Sequence, residues 1–91
     1  MTYHVVFSDQ ALKDLKKLDK HTSMMILGWI RKNLEGCSDP RQKGKGLTAN
    51  RSGQWRYRIG DFRLLTEIQE DKIVILVLNV GHRRDIYKMQ G

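Results

Sequence analysis

Two alternating runs joined by a two-residue turn constrain this chain more than any other feature. Trp55 to Ile59 (WRYRI) and Phe62 to Ile68 (FRLLTEI) follow the period of two of a strand, and Gly60-Asp61 between them is a Gly-first turn of the kind that closes hairpins. The turn sets the register, so Ile59 is expected to face Phe62 and Arg58 to face Arg63. Alternation then puts Trp55, Tyr57, Ile59, Phe62 and Leu64 on a core face and Arg56, Arg58 and Arg63 on the other. Like charges directly across a strand pair repel, so removing Arg58 or Arg63 is expected to raise the stability of the isolated chain, and an anion is expected to relieve the pair. Guanidinium groups hold phosphate bidentately and stay charged at any physiological pH, which suits a nucleic acid backbone; spacing alone fits a solvated basic face equally well.

The remaining elements follow from periodicity and caps. Tyr3 to Phe7 (YHVVF) reads as a first strand, and Ser8 with Asp9 supplies an N-cap and a first-turn acid for a helix with Ala11, Leu12, Leu15 and Leu18 on one side. Thr22 is the expected cap of a second helix carrying Ile26, Leu27, Ile30 and Leu34, which ends near Gly36 before Asp39-Pro40. Arg41 to Gly53 reads as a loop. Its Gly44 and Gly46 do not make a phosphate loop, because Lys45-Gly46-Leu47 lacks the required spacing, and they are read as loop flexibility. Ile73 to Leu78 (IVILVL) is apolar throughout, as in a central strand covered on both faces. The fold class expected is α+β in the order β-α-α-β-β-β: a helical hairpin on a mostly antiparallel four-stranded sheet, with a short C-terminal helix or tail. Residues 1–91 form a single domain.

Charge narrows the partners. The chain carries a formal net charge of +7, and residues 41–64 hold seven basic groups against one acid, Asp61. Polyanions or acidic proteins are the partners such a balance points to. The single cysteine, Cys37, excludes an internal disulfide and fits a reducing setting, and no Cys/His spacing suggests a metal site. No signal peptide and no apolar stretch of membrane length is present, so the expectation is a cytoplasmic chain without membrane contact.

The tail concentrates chemistry. His82, Arg83, Arg84 and Tyr87 fall within six residues. Histidine gives and takes protons near neutrality, and tyrosine donates a proton or stacks on a base. These parts suffice for metal-free RNA cleavage in which the 2′-hydroxyl attacks the adjacent phosphate, although a basic tail packing Ile86 and Tyr87 back on the sheet is an equally simple reading. His4 and His21, in the first strand and the inter-helix turn, are read as structural.

The order of strand, helical hairpin, K-G-K-G-L loop, G-Q-W-R-Y-R-I-G-D-F-R segment and V-G-H-R-R-D-I-Y tail resembles the RelE/ParE superfamily of type II toxin-antitoxin systems, and the ending resembles its RelE branch. That resemblance implies a toxin that cleaves messenger RNA in the ribosomal A site without a cofactor and stops translation. Arg56 and Arg58 stand where the branch often has lysines; Arg63 matches its phosphate-contacting arginine; Arg83 and Tyr87 match its tail arginine and tyrosine. Arginine is effectively never deprotonated, so Arg56 and Arg58 are cast as electrostatic stabilisers and the base falls to His82 or Tyr87. Lys43, Lys45, Arg51 and Arg84 are expected to add RNA contacts. The implied partners are a RelB-like antitoxin, messenger RNA and the 70S ribosome, with the toxin-antitoxin hetero-oligomer binding operator DNA through the antitoxin. The alternative is a ParE-like gyrase inhibitor acting by binding alone; a plain basic interaction module is the third reading.

Overall fold

The computed structural model describes residues 2–46 and 53–90, the last four (87–90) by backbone only. Its elements are β1 (His4–Phe7), α1 (Asp9–Lys17), α2 (Lys20–Asn33), β2 (Lys45–Gly46), β3 (Gln54–Ile59), β4 (Phe62–Gln69), β5 (Val74–His82) and α3 (Arg83–Gln90). They build one sheet in the order β1-β5-β4-β3-β2, with β1 parallel to β5 and every other pair antiparallel. The expected α+β architecture is present, with five strands in place of four. The extra strand, β2, lies in the segment read as loop; two residues are too few to show alternation, so the sequence carries no signal for it.

Local chemistry sets the helix starts. Ser8 caps α1 by accepting from the Ala11 N–H at 3.0 Å. α2 begins earlier than expected because Asp19, and not Thr22, is its N-cap: Asp19 accepts from the Thr22 N–H at 3.1 Å and from the Thr22 hydroxyl at 2.6 Å. The Thr22 hydrogen bonds hold the Asp19 carboxyl below the usual carboxylate range. Ala11, Leu15, Ile26, Ile30 and Leu34 bury against Tyr57, Ile59, Leu64, Ile75, Val77 and Val80. Leu12 and Leu27, expected on the buried stripe, remain 46% and 37% exposed, because the apolar faces of the helices are wider than their contact with the sheet.

The expected hairpin register is observed. Ile59 faces Phe62, Arg58 faces Arg63, and Gly60 takes a φ of +57° in the turn. β5 runs on past the apolar stretch to His82 and lies between β1 and β4, one place from the sheet's centre. Ile75 and Val77 are buried on the helical side, whereas Leu76 and Leu78 are half-buried on the other. That second face is covered by α3, whose Ile86 is fully buried. Ile86 packs at Gly81, where a Cβ would meet it at 3.5 Å. Among the described residues no helix is long and apolar enough to cross a membrane.

Candidate nucleic-acid interface

The cations predicted from alternation gather on one sheet face. Lys45 on β2 is the cross-strand partner of Arg56 on β3, and Arg58 on β3 is the partner of Arg63 on β4. Partners across a ladder share a face, and Arg56 and Arg58, two residues apart, share it as well. The result is a groove of about 340 Å³ lined by Gly44, Lys45, Arg56, Arg58 and Arg63. Among the described residues no acidic side chain lines it, so the focused positive potential there favours an anion, and the guanidinium forks favour phosphate.

Arg63 is held differently from its neighbours. It is 5% exposed, and its Nη1 donates to the carbonyl oxygens of Gly60 at 2.8 Å and Phe62 at 2.9 Å. The buried guanidinium is thus partly satisfied and fixed by the turn, whereas Arg58 is exposed.

Lys45 reaches the groove because its segment can approach β3 closely. Gly44 has a φ of +80°, and a Cβ there would lie 2.3 Å from the Arg56 carbonyl oxygen and 2.9 Å from Trp55 Nε1. Gly44 is therefore required by close approach, which corrects its reading as loop flexibility. The Trp55 indole N–H donates to the Lys43 carbonyl oxygen at 2.6 Å and pins the same segment, and Arg41 lies over the Trp55 ring at 5.7 Å while pairing with Glu70. Lys43 itself turns away from the groove and donates to Asn33 Oδ1.

The tail meets this face through the hairpin turn. The Arg83 N–H donates to the Asp61 carbonyl oxygen at 2.8 Å, which fixes the start of α3 against the turn. His82 is the cross-strand partner of Phe62, and the two rings meet edge to face at 5.6 Å. Its Nδ1 accepts from the Arg84 N–H at 3.3 Å, so the imidazole caps α3 and its remaining nitrogen, Nε2, is the one left to carry a proton. His82 therefore belongs to the Phe62 side of the sheet and Arg63 to the other, and both converge on residues 60–62. Arg83 and Arg84 are exposed at the start of α3. Arg51 and the side chain of Tyr87 lie outside the described residues. Sequence reasoning missed Gly44, made necessary by the close approach of β3, and Gly81, beside which Ile86 packs.

Comparison with known proteins places the chain among small toxins. The family profile "ParE toxin of type II toxin-antitoxin system, parDE" matches residues 5–87. "Toxin RelG" of Mycobacterium tuberculosis is 32% identical over 88 residues, which is 97% of this chain and 99% of that one. Among solved structures, the toxin-antitoxin complex RelBE2 of M. tuberculosis is similar with a TM-score of 0.80 at 29% identity, covering 91% of this chain and 100% of that chain. The archaeal RelE-RelB complex of Pyrococcus horikoshii is similar with a TM-score of 0.70 at 31% identity, covering 91% and 97%.

Proposed function

This chain belongs to the RelE/ParE superfamily of type II toxins, and we propose that it is the toxin of a RelBE-like pair and a ribosome-dependent endoribonuclease that cleaves messenger RNA in the A site. The observation that carries the proposal is the groove in which Lys45, Arg56, Arg58 and Arg63 share one face. A phosphate under attack gains charge, and fixed cations lower the cost of that charge most where water is scarce. Arg63, buried and held by the turn, is the preorganised member; Arg56, Arg58 and Lys45 steer and hold the backbone on either side of it.

In the proposed reaction the ribose 2′-oxygen bonds to the adjacent phosphorus and the bond from phosphorus to the 5′-oxygen breaks. One proton leaves the 2′-hydroxyl and one arrives on the departing 5′-oxygen. The protein supplies a base, an acid and cations, and no resident cofactor. Arginine fits neither proton role, so one falls to Tyr87; His82, on the Phe62 side of the sheet, takes the other only after its Nδ1 releases the Arg84 N–H, because an imidazole that accepts there already carries its proton on Nε2. Arg83 and Arg84 add charge beside the turn. The silencing partner is a RelB-like antitoxin, whose complex with the toxin binds operator DNA, and the setting is the cytoplasm.

The gyrase-binding reading is less favoured: the family profile carries the ParE name, but the solved structures above, at 29% and 31% identity, are a RelBE2 and a RelE-RelB complex. Pulse labelling after induction separates the two. The proposal expects protein synthesis to stop first with DNA synthesis continuing; early arrest of DNA synthesis with translation intact would replace it with the gyrase reading.

A further inference from the structure

β1 ends at Phe7, opposite Val77, where the chain turns into α1. β5 continues to His82 with β4 on one side and, among the described residues, no strand on the other. Backbone groups on an open edge need partners, and here the helical layer supplies them. Ser8 Oγ donates to the Leu78 carbonyl oxygen at 2.9 Å, and Asp14 Oδ2 accepts the Val80 N–H at 2.9 Å. The carboxylate is itself oriented, since Gln10 Nε2 donates to Asp14 Oδ1 at 2.9 Å.

The same stretch contains a register shift. Leu65 faces Asn79 whereas Thr66 faces Val77, so Leu78 has no opposite number. A slip of one residue sends every following side chain to the other face of a sheet. With the bulge at Leu78, Gly81 faces Arg63 and His82 faces Phe62; Gly81 leaves the room that Ile86 occupies, and α3 starts at Arg83 against the hairpin turn.

We propose that Asp14 is a positioning residue for the site: by accepting the Val80 N–H it holds the bulged end of β5 in the register that brings the tail to the cationic face. The claim rests on the reading of groove and tail as one nuclease site. Asp14 touches neither RNA nor groove. Its task needs an acceptor oxygen and no charge, so Asp14→Asn should perform it and Asp14→Ala should not.

The test combines amide hydrogen exchange of the full chain with message cleavage on purified ribosomes. In Asp14→Ala the Val80 amide should exchange roughly tenfold faster or more, as expected for loss of a hydrogen bond to a charged group, while the amides of Leu15 and Ile75 keep their protection. Cleavage should lose kcat by a similar factor with KM unchanged, and Asp14→Asn should restore both. The proposal is overturned if Asp14→Ala leaves Val80 protected, if it cleaves like the wild type, or if Asp14→Asn is as impaired as Asp14→Ala. Should the wild-type chain not cleave at all, the nuclease reading fails by itself. The positioning claim is then decided by the Val80 amide and by the Gly81 and Arg83 backbone chemical shifts, which must move in Asp14→Ala and stay in Asp14→Asn.

Discussion

Arg63 stands directly opposite Arg58 across the β3–β4 hairpin, yet it is 5% exposed and two turn carbonyls accept from its Nη1. The two arginines therefore differ in what they do for stability. Repulsion between them predicts that removing either charge helps, and for exposed Arg58 this holds: Arg58→Gln should raise the melting temperature slightly, by the equivalent of ~0.5 kcal/mol. For Arg63 the turn contacts outweigh the relief, so Arg63→Gln should cost about 1–3 kcal/mol. Thermal melts of the two variants check this, and equal shifts of the same sign would contradict it.

Gly44 should be irreplaceable for the groove and dispensable for the core. Its φ of +80° and the 2.3 Å approach of the Arg56 oxygen mean that alanine there carries a local cost of about 1–3 kcal/mol. β2 is short and at the sheet's edge, so Gly44→Ala is expected to release it without unfolding the chain. The melting temperature should change little, while Trp55 fluorescence shifts as the indole loses Lys43 and Gly46. An unchanged emission spectrum would show that β2 stays docked.

Gly81 separates two sizes of side chain. A Cβ there meets Ile86 at 3.5 and 3.6 Å, an ordinary contact, so Gly81→Ala should be accepted. Gly81→Val adds branches where Ile86 sits and should lift α3 from the sheet at a cost of about 1–3 kcal/mol. The measurable sign is a cleavage loss in Gly81→Val much larger than in Gly81→Ala, together with faster exchange of the Ile86 amide.

How much of this was legible in the sequence divides along the range of the forces involved. The hairpin register, and with it the sharing of one face by Arg56, Arg58 and Arg63, follows from the Gly60-Asp61 turn and alternation, both local. β2 was not legible, because Lys45–Gly46 is held by the distant Trp55 and Arg56 and carries no periodicity of its own. The bulge at Leu78 was hidden in a uniformly apolar run, where a slip changes no pattern of polarity. That slip decides which side His82 takes, so its separation from Arg63 could not be read from spacing within the tail.

The β1 edge should show acid sensitivity through Glu35. Its carboxylate accepts from the Val5 N–H at 3.1 Å and pairs with His4 Nδ1 at 3.0 Å, and these bonds, the Val5 one first, hold its pKa below the ordinary 4.5. A carboxyl lowered on folding adds stability above its unfolded value, and that contribution fades as pH falls from about 4.5 through the lower folded value. Wild type should therefore exceed Glu35→Gln in stability at neutral pH, with the gap closing in that acid window. Melts from pH 7 to pH 3 check it; a gap constant with pH would contradict the assignment.

The central claim is that the cationic face and the tail together cleave messenger RNA on the ribosome. The direct measurement is translation of a defined message on purified ribosomes with the full chain added, followed by mapping of the new 3′ ends. The account predicts ends within the codon held in the A site, formed without added metal-binding cofactor, absent when ribosomes are omitted, and strongly reduced by Arg63→Ala, Arg83→Ala or Tyr87→Phe. Intact message at toxin concentrations that arrest growth, or ends scattered independently of ribosome position, would contradict it.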